Sequence, residues 1–180
     1  MRQFGYDFVR ALGLSPRRSA ACGESPTPVL FVRRVNYKAH PRHDGQIVRR
    51  LDNEDAIFAA LEARSAAGDI RLLNGLFSAM SLLEQVQMAQ EACVMVGAHG
   101  AGLSHILFAP DGEHVLELQT PSYTRPHFIA YTYWANSDHD AWHLLSSTPD
   151  VATVVARVLA TAAKAAGTDV AAPGPQPAAA

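Results

Sequence analysis

The residues best placed to do chemistry lie in one short stretch, Val94-Met95-Val96-Gly97-Ala98-His99-Gly100-Ala101-Gly102-Leu103. An apolar run ends in three glycines within six residues, with a histidine among them, and a second apolar run, Leu103-Ser104-His105-Ile106-Leu107-Phe108, follows at once. The pattern predicts a strand, a tight loop and a helix. Glycines let backbone N–H groups approach a ligand with no Cβ in the way, and a helix N-terminus adds unpaired donors and a partial positive charge. A phosphate is the guest that suits such a loop. The His99 imidazole could donate to a phosphate oxygen or take part in proton transfer, although a buried, hydrogen-bonded histidine would look the same in sequence. On pattern alone the stretch also fits a plain strand-to-helix turn.

Other chemistries need partners that the chain does not offer. His99-Gly100-Ala101-Gly102 resembles the oxyanion-hole strand end of lipases, but that reading requires a nucleophile elbow, and no serine has glycines two positions to either side. His40 and His43, and His139 and His143, have spacings a metal could use. No carboxylate or thiolate cluster accompanies them, and there is no clear DxD triplet, so neither a metal nor another cofactor is expected. Neutralising a diphosphate would then fall to backbone amides, arginine and histidine. Arg33, Arg34, Arg42, Arg49 and Arg50 lie in one connection after the first apolar run, and guanidinium forks match phosphate oxygens. Most exposed charges only solvate, so one or two of these five are expected to touch a ligand. Glu117, at the end of a later strand-like run, is expected to accept hydrogen bonds from a ribose; a helix-cap or salt-bridge role is the alternative.

These residues need a scaffold, and the rest of the chain reads as one. With 180 residues, 48% of them hydrophobic, there is material for one α/β domain with a real core. A net charge of −2 and a pI near 6.4 argue against a nucleic-acid binder or a protein that meets membranes through a basic face. No run approaches bilayer-spanning length, so the polypeptide reads as soluble, without direct membrane insertion. Cys22 and Cys93 stand far apart with no CxxC, which offers neither a zinc ribbon nor a disulfide framework and leaves the redox compartment open. Residues 1–28 read as a short helix (Phe4, Phe8, Val9, Leu12) and a Pro/Ser/Arg linker, a remnant of something larger.

The domain is expected over 29–166. Val29-Leu30-Phe31-Val32 is a strand buried on both faces. Asp52 or Asn53 caps a helix carrying Ile57, Phe58 and Leu61, and Ile70-Arg71-Leu72-Leu73 is the next strand. Ser81 and Glu84 have capping-box spacing at the start of a helix that leads into the glycine stretch. His114 to Leu118 reads as a strand, Arg125 to Trp134 as an aromatic-rich helix, Leu144-Leu145 as the end of a short strand, and Val151 to Ala162 as the last helix. Residues 167–180 form an Ala/Pro/Gly-rich tail expected to be disordered. Strands alternating with helices imply a mostly parallel Rossmann-like sheet with helices on both faces, whose ligands bind beyond the carboxyl ends of the strands. Arg33-Arg34, the Gly97 to Gly102 loop and Glu117 should share that rim.

A set of longer motifs adds a resemblance. Arg33-Arg34-x-x-Tyr37-x-Ala39-His40-Pro41-Arg42-His43, Arg50-Leu51-x-Asn53-Glu54, Asn74-Gly75-Leu76-Phe77, Met80-Ser81, Glu84-Gln85-Val86, Val96 to His105 and Arg125-Pro126-His127-Phe128 resemble glycosyltransferase family 61. The similarity runs from about Phe31 to Leu159, and the resemblance is strongest to the plant-type branch that xylosylates N-glycan cores. It implies a two-domain GT-B architecture, of which this chain would be the carboxyl-terminal, donor-binding half. It also implies inverting transfer of xylose from UDP-xylose to the core β-mannose of N-glycans on glycoproteins, in a type II Golgi membrane protein. His99 would then be catalytic, stabilising the UDP leaving group. Arg33, Arg34, Gly100, Ala101, Gly102, Leu103 and Glu117 would bind the donor, and Arg42, Arg125 and His127 would contact acceptor or sugar. Inverting transfer needs a general base, which in this architecture could come from the other half. Two alternatives stand beside this reading. One is a truncated UDP-binding module without transferase activity, and the other is a family-61 transferase of another sugar, such as N-acetylglucosamine or arabinose.

Overall fold

A computed structural model describes residues 2–17, 22–23, 25–35, 49–121 and 125–168. The Arg42 contact, the His40/His43 pair, the whole Tyr37 to His43 segment and nearly all of the carboxyl-terminal tail lie outside the described residues.

The continuous apolar runs become the interior strands. β1 (Thr27–Val32) and β3 (Val94–Ala98) are buried at every position, as strands covered on both faces must be. β4 (His114–Gln119) is nearly as buried, whereas β2 (Ile70–Gly75) and β5 (Asp138–His143) carry the more polar patterns of edge strands. The five strands form one sheet in the order β2-β1-β3-β4-β5, and every neighbouring pair is parallel. After β2 the chain returns past β1 to build the other side, so strand order reverses between β1 and β3. In open parallel sheets that switch point, at the carboxyl ends, is where ligands bind. The register lines up Gly75, Val32, Gly97, Glu117 and Ala141 in one row across the sheet close to that end.

Helices cover both faces. α2 (Glu54–Ala66) and α5 (Val151–Ala165) pack Ile57, Leu61, Val154 and Val158 on Val29, Phe31, Val96 and Leu116. On the opposite face, α3 (Leu82–Glu91), a 3₁₀ helix (Ala101–Phe108) and α4 (His127–Ala135) cover Leu30, Val32, Met95 and Val115. Ser81 and Glu84 form the expected capping box at α3. At α2 the cap position is Asn53, but its side chain makes no cap bond and donates instead to the Pro149 carbonyl (2.7 Å), tying α2 to the start of α5.

Two features depart from the sequence expectations. α1 (Arg2–Ala11) is not a remnant outside the domain: Val9 is fully buried, and Phe8 stacks on Phe108 at 4.7 Å. Gly5 makes that approach possible, because a Cβ there would lie 2.1 Å from the Leu107 carbonyl oxygen. The second is a disulfide between Cys22 and Cys93, with Cα atoms 5.4 Å apart, which joins the segment before β1 to the start of β3.

Candidate active site

The run after the glycine loop forms a helix, but a 3₁₀ helix rather than an α-helix. Its buried residues recur with a period of three: Leu103, Ile106 and the following Ala109 are fully buried against the sheet. Three residues per turn is the 3₁₀ repeat. The same period sets Gly102, His105 and Phe108 on a neighbouring line. The His105 Nδ1–H donates to the Gly102 carbonyl (3.0 Å), which leaves Nε2 as an acceptor in the neutral ring. Burial holds the His105 pKa below the ordinary imidazole value despite that bond.

Beside this line, at the β1/β3 switch point, lies a cleft of about 410 Å³, a volume in the range of small-molecule sites. One wall comes from β1 and its extension (Val32, Arg33, Arg34, Val35), another from Phe77, Ser78 and Gln85, and the third from Ala98, Ala101, Gly102 and His105. Gln85 holds its wall in shape by donating to the carbonyls of Phe77 and Met80 (both 3.0 Å). Phe77 and His105 face each other with ring centroids 4.3 Å apart. Glycine is required where the strand end and loop meet. A Cβ at Gly102 would lie 2.5 Å from Val32 Cγ1, and one at Gly97 would lie 3.0 Å from Val32 Cβ.

The arginines divide. The Arg34 guanidinium donates to the carbonyls of His99 (2.7 Å) and Arg49 (3.0 Å), and its backbone N–H donates to Glu54 (2.9 Å), so it braces the loop from the β1 side. It also lies against Gly100, where a Cβ would meet it at 2.5 Å. Arg33 is committed to α2: it pairs with Asp55 and Glu54 and lies 4.3 Å from the centre of the Phe58 ring. Both still line the cleft. Burial raises the Glu54 pKa, opposed by the Arg34 backbone bond and the Arg33 charge.

His99 and Glu117 do not sit where a donor-contact role would place them. The His99 side chain is 1% exposed, is not part of the cleft wall, and passes beneath α4, with the His127 ring 4.7 Å and the Phe128 ring 5.1 Å away. Its Nδ1–H donates to one oxygen of Glu117, and the Nε2–H of His139 donates to the other at 2.9 Å. Glu117 is fully buried with both oxygens engaged, so a ribose cannot reach it in this arrangement. Burial works to raise its pKa, but the hydrogen bonds from His139 and His99 hold it below the ordinary carboxyl value. Burial lowers the His99 pKa against the pull of Glu117. The pair is therefore a neutral imidazole donating to a carboxylate.

Among the remaining expected residues, Gly100, Ala101 and Gly102 open the 3₁₀ helix, whose first amides have no carbonyl one turn back. The Leu103 amide is taken by the Gly100 carbonyl (3.0 Å) and its side chain is buried in the core, so Leu103 offers a ligand nothing. Arg125 and His127 are exposed at the start of α4, and neither lines the cleft. Sequence reasoning missed His105, Phe77, Ser78 and Gln85. His105 would have emerged from a three-residue period counted from Gly102. Among the described residues, no group of three or more His, Cys, Asp or Glu is arranged to hold a metal ion, and no helix is long and apolar enough to cross a membrane.

A parallel sheet of this order, with a glycine loop and a cleft at its switch point, is a Rossmann-like α/β unit consistent with one half of a GT-B glycosyltransferase. Comparison with known proteins narrows the class. The family model described as Glycosyltransferase 61 matches residues 7–116, and the chain belongs to that family. It is 43% identical over 129 residues to beta-1,2-xylosyltransferase RCN11 of Oryza sativa, covering 71% of this chain and 24% of that protein. It is 38% identical over 150 residues to beta-1,2-xylosyltransferase of Arabidopsis thaliana, covering 79% of this chain and 28% of the relative. A more distant similarity, 28% over 122 residues (58% of this chain, 23% of the relative), is to EGF domain-specific O-linked N-acetylglucosamine transferase of Xenopus laevis. The chain thus spans about a quarter of the length of the relatives it matches.

Proposed function

We propose that this chain is the UDP-binding unit of an inverting β-1,2-xylosyltransferase that passes xylose from UDP-xylose to the core β-mannose of N-glycans. The observation that carries the reading is the coincidence of the family's glycine loop with the wall of the switch-point cleft. In this reading the opening amides of the 3₁₀ helix meet the diphosphate. Arg34 supplies positive charge from the β1 side, and the Phe77 and His105 rings, tilted 42° to each other, offer an aromatic wall against which a base can pack. Donors fixed before the reaction stabilise the charge that develops on the departing UDP. The imidazole of His99 acts from beneath the loop rather than on the phosphate. Arg125 and His127, at the exposed start of α4, face the sugar or acceptor. The base that deprotonates the acceptor hydroxyl is assigned to no residue of this chain.

Disulfides persist in oxidising compartments, so the Cys22–Cys93 bridge fits a secretory location, and the Golgi is the one we propose. Calorimetry with UDP tests the site: we expect binding to the wild type and a loss of about tenfold or more in affinity for His105→Ala, on the scale of removing a positioned contact. No binding of UDP to the wild type overturns the reading. A donor panel with an N-glycan acceptor then separates xylose from N-acetylglucosamine, the sugar in the name of the more distant relative. Binding without transfer identifies a UDP-binding module.

A further inference from the structure

The glycine loop puts only the methyl groups of Ala98 and Ala101 against the cleft, so the positions of its amides depend on how residue 99 is held. That residue is gripped three ways. Its N–H donates to the Leu118 carbonyl (3.1 Å), its carbonyl accepts from Arg34 (2.7 Å), and its imidazole is bonded to Glu117. The first two bonds fix the backbone to β4 and to the β1 extension. The third decides which ring nitrogen carries the proton, because an ionised carboxylate can only accept. Resting on the reading that this loop receives UDP, we propose that Glu117 and His139 are positioning residues that set the loop through His99.

His139 is the less obvious member. It stands on the edge strand β5, where Val115 is its register partner, and so shares a sheet face with Glu117 two residues further along β4. Without His139, Glu117 would keep only the His99 imidazole and the Gln119 side chain, while desolvation pushes this fully buried carboxylate toward its protonated form. A protonated Glu117 could donate to His99 Nδ1, which would leave the proton of His99 on Nε2 and reverse the bond that aims the ring. The second N–H, from His139, keeps Glu117 an acceptor at both oxygens. The loop that meets the ligand on one side is thus set from the other side by a His–Glu–His chain spanning β3, β4 and β5.

The test uses the chain as it stands, with UDP as the probe and nitrogen-15 NMR of the imidazoles to read the His99 tautomer. His139→Gln keeps an N–H for Glu117; His139→Leu removes it. We expect UDP affinity within about twofold of wild type for H139Q and about tenfold or more weaker for H139L, with the His99 proton leaving Nδ1 only in H139L. Equal affinities and equal tautomers in H139Q and H139L overturn the proposal while leaving UDP binding itself established. If the wild type binds no UDP, the functional reading fails on that result alone, and the tautomers still decide the positioning: His99 protonated on the same nitrogen in all three proteins overturns it. Should H139L not fold, Glu117→Gln replaces it, since a carboxamide has a single acceptor oxygen and cannot serve both imidazoles. An unchanged tautomer and affinity in E117Q overturn the proposal equally.

Discussion

Glu113 and Glu117 lie four positions apart and both are fully buried, yet they meet opposite fates. Glu117, near the carboxyl end of β4, has an imidazole N–H on each oxygen and stays ionised. Glu113, just ahead of the same strand, has no hydrogen-bond partner on either oxygen among the described residues. Burial drives its pKa well above the ordinary carboxyl value against the weaker pull of Arg2. The burial penalty is common to both, and the difference lies in the partners. At its carboxyl end the sheet maintains the Glu117 charge behind the glycine loop, bonded to His99. At its amino end it suppresses one, under a cover made by α1, where Tyr6 (2.7 Å) and Arg2 both bond Asp111. One end is organised to bind, the other to close.

Four experiments can break or sharpen this contrast. The largest effect is expected at the amino end. Removing the disulfide with Cys22→Ser restores the entropy of a loop spanning 71 positions, a loss of about 4 kcal/mol measured by urea denaturation. Next, Glu117→Ala strands two buried imidazole N–H groups and should cost about 3 kcal/mol. A loss below about 1 kcal/mol would mean that the histidine bonds contribute little and that the two ends are alike. Gly5→Ala puts a Cβ against the Leu107 carbonyl and should undock α1 at about 2 kcal/mol, read as faster amide exchange in Arg2–Ala11 with UDP affinity retained. The smallest change is a gain: Glu113→Met removes an unsatisfied buried carboxyl and should stabilise by about 1 kcal/mol at pH 8.

The pH dependence carries the same contrast with opposite signs. Glu117, with its folded pKa lowered, contributes stability that is present above the unfolded carboxyl pKa, about 4.3, and is lost as pH falls through the folded value. Glu113, with its folded pKa raised, contributes stability that is complete below the unfolded pKa and is lost as pH rises toward the folded value. Denaturation midpoints across pH should show E117Q flattening the acid limb and E113M flattening the alkaline limb.

Most of the fold was legible because hydrophobic period and punctuation agree along the chain. Val29 to Val32 has the length and apolar continuity of a doubly covered strand, and Ser81 with Glu84 has the spacing of a capping box. The loop and the rim residues were found from glycine spacing and strand ends. What the sequence concealed was direction. His99 belongs to the glycine stretch whose Gly102 lines the cleft, but its ring packs against His127 and Phe128 of α4, and nothing local distinguishes the two directions. Glu117 ends a strand at the rim, as expected of a ribose partner, yet its alternation points it inward, where His139 waits on a strand 22 residues away. His105 was hidden because its line with Gly102 follows the three-residue repeat of a 3₁₀ helix, and the bond between Cys22 and Cys93 by a separation too long for any spacing rule.

The disulfide also divides the molecule in a way the sheet order does not reveal. Together with the chain from Cys22 to Cys93 it closes a covalent ring that carries β1, α2, β2 and α3. Two walls of the cleft, Val32 to Val35 and Phe77 to Gln85, belong to that ring, whereas Ala98, Ala101, Gly102 and His105 lie on the chain that leaves it. The candidate ligand site is the seam between a tethered loop and its continuation. A single proteolytic cut inside the ring would open the loop without releasing a fragment, and both faces of the seam would stay on one covalently joined body.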